Sequence, residues 1–88
     1  MIKLRFSRQF KKDFKRYKHN KSVIDKLLDV FRMLEKGEKL PPIYQPHMLR
    51  QNLRGCMECH IESDILLIWI EDEEICILRI GSHAELFE

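Results

Sequence analysis

The chain has 88 residues, 44% of them hydrophobic, which suits a single small globular domain over residues 1–88 and excludes a multidomain assembly. Its net charge of +2 conceals an asymmetry: residues 1–50 carry 14 Lys/Arg against 5 Asp/Glu, and residues 51–88 carry 2 against 9. No apolar run is long enough to cross a bilayer, no signal-peptide core follows Met1, and an odd number of cysteines does not suit a disulfide framework, so a reduced, cytoplasmic protein with no membrane partner is expected.

Ile2, Leu4 and Phe6 alternate with Lys3 and Arg5, the period of a half-buried strand. Ser7 follows as a helix cap. Phe10, Phe14 and Tyr17 then recur at spacings of four and three, which predicts a first helix with one apolar stripe. Arg8, Lys11, Lys12, Lys15 and Lys18 fall on its other sides, and His19 and Asn20 break the pattern. A second helix is predicted from about Ser22 to Lys36, burying Val23, Ile24, Leu27, Leu28, Phe31 and Leu34 and stopped by Gly37. Pro41, Pro42 and Pro46 make residues 38–50 a loop, with His47 near its end. From Leu53 to Glu62 the period returns to two, with Glu58, His60 and Glu62 on one face and Met57, Cys59 and Ile61 on the other. Ser63-Asp64 makes a turn, and Ile65 to Ile70 reads as a strand covered on both faces. Glu71-Asp72-Glu73 is a hairpin connection, and Glu74 to Ile80 is the last strand. Gly81 ends it, and Ser82 caps a short turn through His83 and Phe87.

This order predicts an α+β domain: an antiparallel sheet of about four strands with two consecutive N-terminal helices packed on one face. The other face is left for His60 and its neighbours. Three of the four histidines, with Asp64 and Arg79, fall after residue 46. Imidazoles titrate near neutrality. Several beside a carboxylate and a guanidinium are what acid–base chemistry on a phosphate ester requires. Each residue alone has a plainer use. Asp64 can close a turn, Arg79 can pair with Glu58 or Glu62 across the sheet, and Phe87 can pin the terminus. The eight cations between Lys3 and Lys18 are a solvated helix face, a cradle for RNA phosphates, or a receptor for an acidic protein.

Three segments decide between these uses. They are Tyr44-Gln-Pro-His47-Met-Leu, then Cys59-His60-Ile-Glu-Ser-Asp64-Ile-Leu-Leu-Ile, then Arg79-Ile-Gly-Ser-His83-Ala-Glu-Leu-Phe87. In this order and spacing the chain resembles, over nearly its whole length, the YafQ group of the RelE/ParE toxin superfamily. The resemblance implies a RelE-like fold and the toxin of a bacterial toxin–antitoxin pair. Such toxins cleave mRNA, commonly in the ribosomal A site, without metal or other cofactor. It implies three partners: a small, acidic antitoxin that covers the site, mRNA with the ribosome, and operator DNA only through the antitoxin complex. It also implies that His47, His60, Asp64, Arg79, His83 and Phe87 are the functional set. His83 and Asp64 are expected to transfer protons, with His47 and His60 assisting. Arg79 is expected to hold the phosphate and Phe87 to stack on a base. Lys11, Lys12, Lys15, Arg50 and Arg54 are the expected RNA-binding cations.

The chain departs from the group at three positions. Leu53 stands where the group usually has tryptophan, Ile65 where some members have it, and Met57 where arginine is usual, three residues before His60. An arginine missing beside His60 would slow cleavage, so the alternative is a catalytically weak module that binds antitoxin and RNA. Two metal readings also arise from Cys56-Met-Glu-Cys59-His60: a C-x-x-C-H haem attachment, and a zinc site of Cys59, His60 and His83. Strand alternation opposes both, because it sends Cys56 and Cys59 to opposite faces and likewise Cys59 and His60.

Overall fold

The structure, a computed structural model, describes residues 1–49 and 55–87. In chain order the elements are β1 (Leu4–Phe6), α1 (Arg8–Phe14), α2 (Lys21–Glu35), a 3-10 turn (Pro42–Tyr44), β2 (His47–Met48), β3 (Met57–Glu62), β4 (Ile65–Glu71), β5 (Ile75–Gly81) and α3 (His83–Phe87). Among the described residues no helix is long and apolar enough to cross a membrane.

The fold is α+β as expected, but among the described residues its sheet has five strands in the order β1-β5-β4-β3-β2 and is mixed. Two differences separate it from four antiparallel strands. The chain leaves β1, makes both helices and three strands, and returns beside β1 as β5, which places the pair parallel. The fifth strand, β2, lies within the expected loop: His47 and Met48 pair with Glu58 and Met57. Leu49 N–H donates to Cys56 O at 2.8 Å and continues that ladder. The predicted beginning of β3 at Leu53 falls outside the described residues, as do Arg50 and Arg54.

Local chemistry sets the helix ends. Ser7 caps α1, its Oγ accepting from Phe10 N–H at 2.9 Å. The α-helix stops at Phe14, and Tyr17 is reached through i→i+3 bonds, a tightening common at helix ends. Asn20, expected only to break the pattern, is the cap of α2, accepting from Val23 N–H at 3.2 Å. At the other end Gly37, with φ +71°, allows Glu38 N–H to reach Met33 O and Gly37 N–H to reach Leu34 O. This is the paired closure that a left-handed residue permits.

One core lies between the helices and the sheet. Phe10, Val23, Leu27, Val30 and Leu34 meet Cys59, Ile61, Leu67, Trp69, Ile75, Ile77 and Ile80. Val30 replaces Leu28 on the buried face of α2, since Leu28 is 47% exposed. On β4, Leu66 to Trp69 are all buried, so this strand is covered on both faces as its composition implied.

Two register shifts aim the functional face. In β5, Ile77 pairs with Trp69 and Arg79 with Ile68, so Leu78 is an extra residue. Without this bulge Ile77 and Arg79 would share a face. With it, Ile77 enters the core and Arg79 joins the row of Ile68. In β3 the shift lies between His60 and Glu62. Glu62, expected beside His60, instead meets α2, where Lys26 Nζ and Ser22 Oγ each lie 3.2 Å from its Oε2.

Candidate active site

Strand pairing builds the site in two adjacent rows. His47, Glu58, Ile68 and Arg79 are partners across β2, β3, β4 and β5. His60, Leu66 and Gly81 are partners in the next row. Cross-strand partners share a face, and the rows lie two residues apart, roughly 7 Å. This is the face opposite Cys59, Leu67, Ile77 and Ile80 of the core, and Arg79 turns from it towards α1.

Asp64 and His83 meet at the end of the second row. Asp64 follows Ser63, whose φ of +44° closes the β3–β4 turn. The His83 ring lies with Nδ1 2.6 Å from Asp64 Oδ1, and its backbone N–H donates to the same oxygen at 3.4 Å. Nδ1 is therefore the protonated nitrogen that donates, and Nε2 is left to exchange a proton with a substrate. The ring bond first, and the backbone bond second, hold the Asp64 carboxyl below its ordinary range. His60 stands edge-on to His83 with ring centroids 6.1 Å apart, and the Phe87 ring, tilted by 40°, has its centroid 6.1 Å from that of His83. Phe87 is 46% exposed, so its ring is open to an unstacked base.

Helix α3 carries His83 and Phe87, and it is tied down at its start. Ser82 N–H donates to Glu85 Oε1 at 2.9 Å while Glu85 N–H donates to Ser82 Oγ at 3.2 Å. This is a reciprocal capping box. The same Glu85 Oε1 accepts from Tyr17 Oη at 2.8 Å, and Arg16 Nη1 lies 3.3 Å from Oε2. Burial, then the bond to Glu85, pushes the Tyr17 phenol up to about 12. Gly81 is required by this closeness: a Cβ there would lie 2.9 Å from Glu85 Oε1 and 3.1 Å from Leu86 Cδ2.

His47 is held differently. Tyr44 is buried and donates to Asp29 Oδ2 of α2 at 3.1 Å, and Gln45 turns the chain with φ +47°. His47 Nδ1 then lies 2.9 Å from Gln45 O, and Nε2 lies 3.0 Å from Oε1 of buried Glu58. Both ring nitrogens therefore face acceptor oxygens.

Arg79 does not pair with Glu58 or Glu62. Its Nε and Nη2 reach Asp13 of α1, at 2.7 and 3.2 Å. Neither Asp13 nor Glu58 stood among the expected site residues. The sequence did hold a signal for Asp13, because spacings of three and four place it in the stripe of Phe10, Phe14 and Tyr17.

The expected RNA-binding cations divide. Lys11 lines a trough of about 340 Å³ with Phe6, Phe14, Leu28 and Phe31, on the helical side of the sheet. Lys12 and Lys15 are exposed. Met57 also lies away from His60, packed against the core beside its cross-strand partner Trp69. An arginine at this position would start from the helical side, so the expected loss of a cation beside His60 does not follow. The zinc reading fails for the same reason. Cys59 is fully buried in the helical-side core and its thiol is pushed up to about 12, chiefly by burial, while His60 faces the other way. Among the described residues no cluster of three or more His, Cys, Asp or Glu is arranged to hold a metal.

Residues 2–88 match the family described as "Bacterial toxin of type II toxin-antitoxin system, YafQ". The chain belongs to the YafQ toxin family. It is 31% identical over 86 residues to the mRNA interferase toxin YafQ of Escherichia coli strain B, covering 96% of this chain and 94% of that protein. The structure is similar to YafQ in the crystal structure of the E. coli DinJ–YafQ complex, at 30% identity and TM-score 0.86, with full coverage of both chains. It is also similar to a metal-bound toxin from Helicobacter pylori, at 32% identity and TM-score 0.89, covering 99% of this chain and 100% of that one. The YafQ fold thus extends over both rows of the candidate site.

Proposed function

We propose that this YafQ-family toxin is an mRNA endoribonuclease that stops translation, and that an antitoxin holds it inactive. Its E. coli relative carries the name mRNA interferase, and another relative was solved with the antitoxin DinJ. The observation that carries the proposal is the Asp64–His83–His60 cluster on the same sheet face as Arg79 and His47. RNA brings its own nucleophile, the 2′-hydroxyl beside the scissile phosphate. Cleavage then needs a base for that hydroxyl, an acid for the departing 5′-oxygen and a cation for the phosphorane.

Asp64 orients His83 through Nδ1, leaving Nε2 to move a proton, and His60 stands beside it as the second proton-transfer group. Arg79 holds the phosphate. His47, still braced at Nδ1 by Gln45, turns Nε2 from Glu58 to meet it. Phe87 stacks on the neighbouring base. These groups supply each step without a metal. Lys12, Lys15 and the rest of the basic N-terminal half face ribosomal RNA or an acidic antitoxin segment in turn, and operator DNA is met only through the antitoxin complex.

Purified toxin incubated with mRNA, free and on ribosomes, with and without EDTA, tests this. Wild type should cleave in both buffers, His83→Ala and His60→Ala should each lose about 100-fold or more, and the antitoxin complex should be silent. Equal cleavage by wild type and both variants would remove the imidazole mechanism.

A further inference from the structure

The structure assigns Asp13 as the positioning residue for Arg79, and through it as a determinant of the cleavage rate. This rests on the proposal that Arg79 holds the scissile phosphate. Asp13 is 2% exposed, and its carboxylate takes four hydrogen bonds. Two come from Arg79 Nε and Nη2, at 2.7 and 3.2 Å. A third comes from Ile80 N–H at 3.2 Å, and the fourth from Gln9 Nε2 at 3.1 Å. The Ile80 bond fixes the carboxylate to β5 just beyond the Leu78 bulge. The Gln9 bond fixes it to its own helix, so it cannot turn to another partner.

Two donors on one carboxylate set the plane of a guanidinium as well as its position. The Arg79 side chain is 32% exposed, and Nη1 is the terminal nitrogen that Asp13 leaves unused. A free arginine would have to be ordered as the phosphorane forms. Here the ordering is complete in the folded state, and the contact is available to the transition state without rearrangement. The Asp13 charge also offsets that of Arg79, which weakens its general pull on RNA. Asp13 therefore serves kcat and works against ground-state binding.

The test is a double-mutant cycle on purified toxin: wild type, Asp13→Asn, Arg79→Ala and the double variant. Cleavage of one RNA is measured at saturating and limiting concentrations, and rates are referred to the folded fraction. Asp13→Asn should lower kcat by about 10- to 100-fold with KM unchanged or lower. In the Arg79→Ala background it should cause no further loss. Gln9→Ala alters only an exposed side chain, and it covers the case in which Asp13→Asn does not fold. It should lower kcat roughly 3-fold in wild type and not in Arg79→Ala. Wild-type kcat in Asp13→Asn, or in Gln9→Ala if Asp13→Asn does not fold, overturns the assignment. So does a loss that multiplies in full onto Arg79→Ala. Undiminished cleavage by Arg79→Ala itself refutes the role of Arg79, and is separable because it concerns that variant alone.

Discussion

Replacing Gly81 with alanine would disturb the site without touching a catalytic group. The added Cβ lies 2.9 Å from Glu85 Oε1, 3.1 Å from Leu86 Cδ2 and 3.3 Å from Glu85 Cβ. A free glutamate tip would swing aside at little cost. This one accepts from Ser82 N–H and Tyr17 Oη, so moving it breaks the capping box and the tie to the α1–α2 connection. Losing such a cap costs about 1–2 kcal/mol. In a domain of this size that lowers Tm by roughly 5–15 °C. The alternative response is a shift of α3 by a few tenths of an ångström, carrying the His83 ring away from Asp64. A full 1 Å misplacement costs on the order of 100-fold in rate, so this shift should cost roughly 3- to 10-fold. Thermal unfolding and single-turnover RNA cleavage measure both. A Gly81→Ala protein with wild-type Tm and wild-type kcat would show that α3 is not held by this contact.

Asp64→Asn removes the charge that orients His83. It should lower kcat by about 10- to 100-fold with little change in KM, read in the same cleavage assay; a normal kcat would show that the ring needs no such partner. Tyr17 binds its proton more tightly in the folded state, so its contribution to stability is complete below pH 10 and is lost as pH rises towards about 12. Urea midpoints at pH 9 and 11 should fall less in Tyr17→Phe than in wild type. Asp13 has the opposite sign: burial raises its carboxyl, but the Arg79, Gln9 and Ile80 bonds outweigh this and hold it below 3.8. Its stabilising share is complete above pH 4 and drains away on further acidification, so Asp13→Asn should flatten the acid side of the stability curve. Met57→Arg should leave the cleavage rate within about twofold, because β3 turns that side chain to the helical face.

Much of the site was legible because its residues obey short-range rules. The alternation through Cys59, His60 and Ile61 fixed which face the imidazole takes. Ser82, read as the cap of a short turn after Gly81, does start the helix that carries His83 and Phe87, and its reciprocal partner Glu85 came only with the structure. What was not legible depends on shifts that alternation alone does not reveal. The extra residue at Leu78 re-aims Arg79, and the shift before Glu62 moves that carboxylate to α2. A strand as short as β2 carries no period of its own, and its pairing comes from the neighbouring hairpin. Asp13 was visible in the helical stripe, but its partner lies 66 residues away in sequence, and only the tertiary fold brings them together.

The parallel pairing of β1 with β5 has a consequence for when the candidate site is assembled. During synthesis β1 emerges first and has no sheet neighbour until β5, the last strand, has been made. Pairings between such distant segments form late and slowly. Arg79 and His83 lie in β5 and in the helix that follows it, so the candidate site is completed only when that long-range pairing closes.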